Sequence, residues 1–371
     1  MSQKYRVGII GFAHMHINSV AEQFGNHPQV EMVACADTVP ANPELRDAPY
    51  TRGWNVENAL SNIGVPKVYE DYQEMLEVET FDIVICCSEN ATHADVVEAC
   101  AAAGVNVCVE KPMASSLSHA LRMVRACQSA GTKMVINWPA TWSPGIRKAK
   151  ELIDQGVIGQ VIQVKWRGGH TGPLGPGATH AGVQESADQM TGAELGATWW
   201  HQVKTGGGAM LDYCCYGSML ARWYIGQQAL SATGMRANLN SQWGVADDNA
   251  AMIVRFPNAL GLFEGSWTTL DHGVPTGPIV YGVTGTLVLD NQEVRIERGQ
   301  NQTSIHQHDS LPEGRQRISE EFIHHLETGE PLHQTLEMMF NLEIMAILDA
   351  GVRSTSSGKL EMVNSPAWQI G

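Results

Sequence analysis

Lys111 lies far in the sequence from Asp212 and Tyr216, but together the three could exchange a hydride and a proton with an alcohol. Such a reaction needs a group that takes or gives the hydroxyl proton and a positive charge beside the developing alkoxide. Lys111 lies in Glu110-Lys111-Pro112, directly after an apolar run at 105–109 that reads as a buried strand. The carboxyl end of a parallel strand is where open α/β sheets bind ligands, and Pro112 favours extended over helical backbone at Lys111. Asp212 and Tyr216 are four residues apart in a helical pattern over 209–224 and so share one face. Asp212 falls in the first turn, where the helix dipole favours a carboxylate. The expected roles are Lys111 and Tyr216 flanking the reacting oxygen, with Tyr216 exchanging its proton, Lys111 lowering its pKa, and Asp212 orienting the substrate or the lysine. Without their neighbours, the last two would read as a helix-terminal aspartate and a core tyrosine.

A second set of residues could hold a dinucleotide. The first strand-to-helix turn carries Gly8-Ile9-Ile10-Gly11-Phe12-Ala13-His14-Met15-His16, at the place where a pyrophosphate rests on a helix N-terminus. Of the G-x-G-x-x-G fingerprint only Gly11 remains, with Ala13 at the second position and His16 at the third. Alanine still allows close backbone approach, whereas histidine loosens the helix-strand packing that the third glycine gives. Asp37 ends the second strand, 26 residues after Gly11. An acid there accepts ribose hydroxyls and repels a 2′-phosphate, which favours NAD over NADP; the plainer reading is a turn aspartate. His14 and His16 could chelate a cation, but no third ligand is assignable, so no metal is assigned.

The elements that must position these groups alternate regularly at first. Strands at 5–11, 30–36, 67–69, 81–87, 105–109 and 133–137, with helices between them, imply a doubly wound parallel sheet, a Rossmann-type domain over 1–138. Beyond it, a helix at 144–155 and a strand at 161–167 precede a long loop over 168–194, rich in glycine, histidine and proline. Six strand patterns then follow between 230 and 298 without intervening helices, so 139–371 is expected to be an α+β domain on an open, largely antiparallel or mixed sheet. Helices at 314–327 and 336–354 close the pattern.

Composition narrows the class. The 371 residues carry a net charge of −15, which disfavours nucleic acid or an anionic membrane as partner. The eight cysteines include no C-x-x-C, and most lie in apolar runs, as small buried hydrophobes do. With no signal-peptide pattern and no bilayer-length apolar run, the expected location is the reducing cytoplasm.

With these residues assembled, the chain resembles the Gfo/Idh/MocA family, the relatives of glucose-fructose oxidoreductase and inositol dehydrogenase. The resemblance rests on the Gly8 to Gly11 turn, Ser88-Glu89-Asn90-Ala91-Thr92-His93, Glu110-Lys111-Pro112, and the segment from Gly206-Gly207-Gly208 through Asp212 to Tyr216. It implies an NAD(P)-dependent oxidoreductase acting on a sugar, cyclic polyol or related diol, and a homodimer or homotetramer built through the C-terminal sheet. It also implies cofactor contacts from Gly11, Phe12, Ala13, His14, Met15, Asp37, Ser88, Asn90, His93, Glu110 and Lys111. His93 could equally cap its helix. Two departures stand out: Glu89 replaces a frequent proline, and Tyr216 replaces the histidine of inositol dehydrogenases.

The substrate side is expected to use Lys111, Asp212 and Tyr216 together with His180, Trp200 and His201. Aromatic faces with polar neighbours suit a sugar ring, although Trp199 and Trp200 could also be packing residues at the domain seam. Two other functions fit the same residues: a redox-neutral lyase or glycosidase that oxidises a sugar transiently, and a non-catalytic dinucleotide or sugar sensor. The retained Lys111 and Asp212, with a proton-transferring residue at 216, argue against the sensor.

Overall fold

Short apolar runs bounded by helices form the first sheet because both of its faces are covered, so their residues need not alternate. The computed structural model describes residues 4–175, 189–241, 243–269, 277–290, 292–300 and 302–363. Strands β1 (Tyr5–Ile10), β2 (Val30–Ala36), β3 (Val68–Tyr69), β4 (Ile83–Cys86), β5 (Asn106–Glu110) and β6 (Met134–Asn137) pair in the order β3-β2-β1-β4-β5-β6. Every pairing is parallel. Helices α1 (Ile17–Gly25), α2 (Arg52–Asn58), α3 (Tyr72–Val78), α4 (His93–Ala102) and α5 (Leu117–Ala130) make the crossovers. The order reverses between β1 and β4, which opens the ligand crevice at their carboxyl ends. A loop after β2 runs up to Arg52. The helix that follows starts there, at Arg52, and passes into a π-helical turn, Ala59–Ile63.

Among the described residues the second sheet has nine strands, all after α6 (Pro144–Asp154): β7 (Val161–Gly169), β8 (Ser231–Ala237), β9 (Asn249–Arg255), β10 (Leu260–Ser266), β11 (Ile279–Gly282), β12 (Thr286–Asp290), β13 (Glu293–Glu297), β14 (Thr303–His306) and β15 (Glu361–Met362). Their order is β14-β13-β12-β11-β7-β10-β9-β8-β15. The consecutive strands do pair with one another, but β7 inserts between β10 and β11 and runs parallel to β10. Helices α7 (Gly192–Ala197), α8 (Ala209–Ile225), α9 (Ile318–Thr328) and α10 (Met338–Ser357) complete the fold. Helices α8 and α10 cover one face of this sheet, so β9 alternates strictly, with Ala250, Met252 and Val254 inward and Ala251, Ile253 and Arg255 outward.

The two sheets are tied by more than a linker. Helix α9 returns to pack on α1, and its Ile318, Phe322 and Ile323 join Val7, Ile9 and Phe24 in one core. Trp138, just past β6, donates its indole N–H to Asn341 Oδ1 of α10 at 2.7 Å. All eight cysteines are buried and unpaired. No helix among the described residues is long and apolar enough to cross a membrane.

Candidate active site

The Gly11 turn is shaped by close backbone contact. Gly11 has φ +89°, and a Cβ there would lie 2.6 Å from the Ser88 Cα, so the turn following β1 rests on the loop following β4 without room for a side chain. Asp37 at the end of β2 locks the same turn. Its Oδ1 accepts the Phe12 N–H at 2.9 Å, the Thr38 N–H at 2.8 Å and the Arg52 guanidinium at 2.6 Å. Its side chain is still 27% exposed, so the carboxylate is anchored on one oxygen and open on the other side. Phe12, Ala13 and Met15 are buried and present backbone rather than side chains.

Across the crevice, the two domains meet at an ion pair. Lys111 leaves the end of β5 and Asp212 the first turn of α8; Nζ lies 2.7 Å from Oδ1 and also donates to the Asp212 carbonyl at 3.3 Å. Both side chains are nearly inaccessible, at 3% and 7% exposure. Burial alone would push the lysine pKa down, but Asp212, aided by Tyr216, Cys215 and Glu110, outweighs it and holds the pKa well above the ordinary value. Lys111 therefore stays an ammonium. Trp267, just past β10, donates its indole N–H to Asp212 Oδ2 at 3.1 Å.

Tyr216 lies one turn further along α8, its ring 4.8 Å from Lys111 Nζ and packed edge-on against Trp138 and face-on against Trp166. Burial pushes its hydroxyl pKa up, and the opposing pull of Lys111 is smaller. The expected lowering by Lys111 is thus present as a component but does not decide the outcome, because the aromatic walls desolvate the phenolate more than one ammonium stabilises it.

The glycine triplet brings α8 to this place. At Gly207 a Cβ would stand 2.1 Å from the Trp200 carbonyl oxygen, and at Gly206 one would meet the Asn90 Cβ at 2.7 Å. Asn90 donates to the Gly206 carbonyl at 2.8 Å, while its Oδ1 is buried without a hydrogen-bond partner among the described residues. His14, Asn90, Lys111, Trp199, Trp200 and Asp212 line one small cleft. Trp199 is pinned there by its indole N–H on the Ala13 carbonyl at 2.7 Å, and the edge of Trp200 meets His14 at 4.5 Å between centroids.

Other expected contacts fall differently. Both ring nitrogens of fully buried His93 face backbone carbonyls, Met113 at 3.2 Å and Ser88 at 3.3 Å, so His93 braces the strand ends and leaves no nitrogen for a cofactor. Ser88 is buried, its hydroxyl on the Glu89 carbonyl at 3.3 Å. His201 accepts from the Trp243 indole N–H at 3.4 Å, and burial lowers its pKa to about 4. It stacks edge-on against Trp267, one residue removed from Asp212. His180 lies outside the described residues.

The fold also supplies the third group that the two turn histidines lacked. Donor atoms of His14, His16 and Glu110 lie within 4.8 Å of one another, all buried. Hydrogen bonds already engage an atom of each. His16 Nδ1 is 2.9 Å from Glu110 Oε1, and Asn137 donates to Glu110 Oε2 at 2.9 Å. His14 Nδ1 accepts the His16 backbone N–H at 3.1 Å, so that nitrogen's lone pair is already engaged.

Sequence reasoning missed Arg52, Trp267, Asn137, Trp138 and Trp166. Asn137 did leave a signal, a polar residue at the carboxyl end of an apolar strand. Trp267 left only an aromatic at a strand end, and Arg52, 15 residues past Asp37, left none.

Comparison with known proteins agrees with this geometry. The model of the oxidoreductase family with NAD-binding Rossmann fold matches residues 5–137, and that of the GFO/IDH/MocA C-terminal domain matches residues 146–288. The chain belongs to the GFO/IDH/MocA oxidoreductase family. Myo-inositol 2-dehydrogenase of Thermotoga maritima is 26% identical over 235 residues, 62% of this chain and 62% of that protein, so the match spans under two thirds of its length. The NAD+-dependent scyllo-inositol 2-dehydrogenase of Bacillus subtilis is 25% identical over 316 residues, 81% of this chain and 82% of that protein. An Agrobacterium radiobacter oxidoreductase solved with NAD+, L-tartaric acid and magnesium superposes with a TM-score of 0.74 at 18% identity, covering 98% of this chain and all of that one.

Proposed function

We propose that this protein is an NAD-dependent oxidoreductase that exchanges a hydride with the hydroxyl-bearing carbon of a sugar, cyclic polyol or related diol. The observation that carries the reading is the buried Lys111–Asp212 pair at the carboxyl end of β5, across the crevice from the Gly11 turn. The surroundings fit a dinucleotide. Gly11 leaves no side chain between the turn and the Ser88 loop, Asp37 keeps one side of its carboxylate open for a ribose hydroxyl, and the orphaned Asn90 Oδ1 can accept a hydrogen bond in the cleft. Bound NAD would supply the hydride acceptor; every proton is handled by the chain itself.

Lys111 Nζ, kept protonated by Asp212, places its positive charge beside the substrate oxygen and stabilises the alkoxide as it forms. Tyr216 Oη exchanges the proton with that oxygen. Because burial keeps the phenol protonated, Tyr216 is ready to donate in the reducing direction, and oxidation requires it first to release its own proton to solvent, against its raised pKa, before it can accept the substrate's. Asp212 holds the ammonium in place through Oδ1 and is itself fixed by Trp267. Trp200 and His201 form the substrate side. Residues 1–138 act as the cofactor domain and 139–371 as the substrate and assembly domain.

The open face of the second sheet supports a homo-oligomer. Met235, Ile253 and Leu260 project from it, 80%, 49% and 39% exposed, from three adjacent strands. An apolar sheet face of this kind suits a second copy of the chain.

The test is an equilibrium titration of nucleotide-stripped protein with NADH and NADPH, read by nicotinamide fluorescence, followed by a sugar and polyol screen for net NAD+ reduction. Binding of NADH with product formed from a polyol supports the reading. Binding of neither nucleotide removes it.

A further inference from the structure

The adenosine end of the crevice holds a charged arrangement that no fingerprint predicts. Arg52 opens α2, its backbone N–H on Glu44 Oε2 at 2.9 Å, and its guanidinium bridges two strands' ends. Nη1 lies 2.6 Å from Asp37 Oδ1 and Nη2 lies 2.5 Å from Glu89 Oε1. Nη1 also donates to the Thr38 carbonyl at 3.2 Å, and Thr38 Oγ1 reaches Glu89 Oε2 at 3.4 Å. Arg52 is 9% exposed and Glu89 1%.

We infer that Arg52 and Glu89, and not Asp37 alone, set the discrimination between NAD and NADP: Glu89 holds the Arg52 guanidinium in a two-carboxylate bracket, away from a 2′-phosphate. The inference rests on the reading that a nicotinamide dinucleotide binds across the Gly11 turn. A guanidinium is the side chain best matched to a phosphate, and one beside the ribose-binding acid can accommodate the 2′-phosphate of NADP. Here one positive charge faces two carboxylates, which leaves the trio at a net −1 and repels a phosphate. Both forks of Arg52 are already engaged. Glu89, at the position where a frequent proline is replaced, is the partner that a phosphate would have to displace. Removing its charge leaves the trio neutral and frees Nη2.

The test is NADH and NADPH affinity measured by nicotinamide fluorescence, with thermal unfolding as the check on folding. The wild-type protein should prefer NADH by about a hundredfold or more. Glu89→Gln should narrow that ratio by about tenfold or more through tighter NADPH binding, the scale of one charge-assisted hydrogen bond. Adding Arg52→Gln should abolish the gain, and Glu89→Asp, which keeps the charge, should remain selective for NADH. A gain that persists without Arg52 means that Glu89 acts by its own charge, and an unchanged ratio in a folded Glu89→Gln protein means that it plays no part; either result overturns the inference. Should Glu89→Gln fail to fold, Asp37→Ser with and without Arg52→Gln asks the same question, because its NADPH gain must also depend on Arg52. Wild-type protein that binds neither nucleotide would instead defeat the functional reading, so the two failures are distinct.

Discussion

Replacing Lys111 by methionine removes one partner of a buried pair. Asp212, 7% exposed, keeps the Trp267 N–H at 3.1 Å but loses the 2.7 Å contact with Nζ. Taking one partner out of a buried ion pair costs about 3–5 kcal/mol, whereas removing both charges together is often close to neutral. Lys111→Met alone should therefore destabilise by roughly that amount, Asp212→Asn by a similar amount, and the double variant by only about 1–2 kcal/mol. Catalysis should not follow stability. Loss of one preorganised positive group costs about 10²–10³-fold in turnover, and the double variant should recover none of it. The assay is urea denaturation followed by tryptophan fluorescence, run beside NADH titration and turnover for all four proteins. A double variant that regains stability and remains inactive fits the account. Strictly additive stabilities would refute the buried pair, and wild-type turnover in Lys111→Met would refute its role in the chemistry.

Tyr216→Phe should lower oxidation and reduction together, and in the wild-type protein the oxidation rate should climb with pH above neutrality because burial holds the phenol protonated; a flat profile that Tyr216→Phe leaves unaltered would exclude this proton route. His201 and His333 each have a pKa lowered from 6.5 to about 4 by burial. The folded protein thus binds fewer protons than the unfolded one between those values, so stability is full above pH 6.5 and is lost as pH falls towards 4. For His201, 1% exposed, that loss is on the order of 3 kcal/mol, and His201→Gln should flatten the denaturation midpoint over this range. Ile253→Asp on the open sheet face should convert an oligomer to a monomer in light scattering, with the monomer's NADH binding retained.

Much of this site can be read in the sequence because its carriers are local. An apolar strand followed by a lysine, a glycine triplet opening a helix, and an aspartate one turn before a tyrosine each fix their own geometry. The parallel sheet followed from the alternation of periods, and every pairing in it is parallel. What escaped were features set by distant pairings. The insertion of β7 between β10 and β11 is decided by which edges remain after the hairpins form, and the short strands β14 and β15 carry too few residues to show a period. Arg52 meets Asp37 and Glu89 only because α2, β2 and the loop after β4 converge. The lowering of the Tyr216 pKa by Lys111 was legible, but the larger effect of burial was not, since the walls formed by Trp138 and Trp166 come from two different sheets.

The most direct test of the central claim is a single turnover. Protein in excess over NAD+ is mixed with each member of a panel of sugars and cyclic polyols, nicotinamide absorbance is followed, and the carbonyl product is identified. The account predicts stoichiometric reduction of NAD+ by at least one polyol in the wild-type protein, and none in a Lys111→Met protein that still binds NADH. Reduction at the wild-type rate without Lys111, or cleavage of a sugar with no net reduction of NAD+, would contradict it.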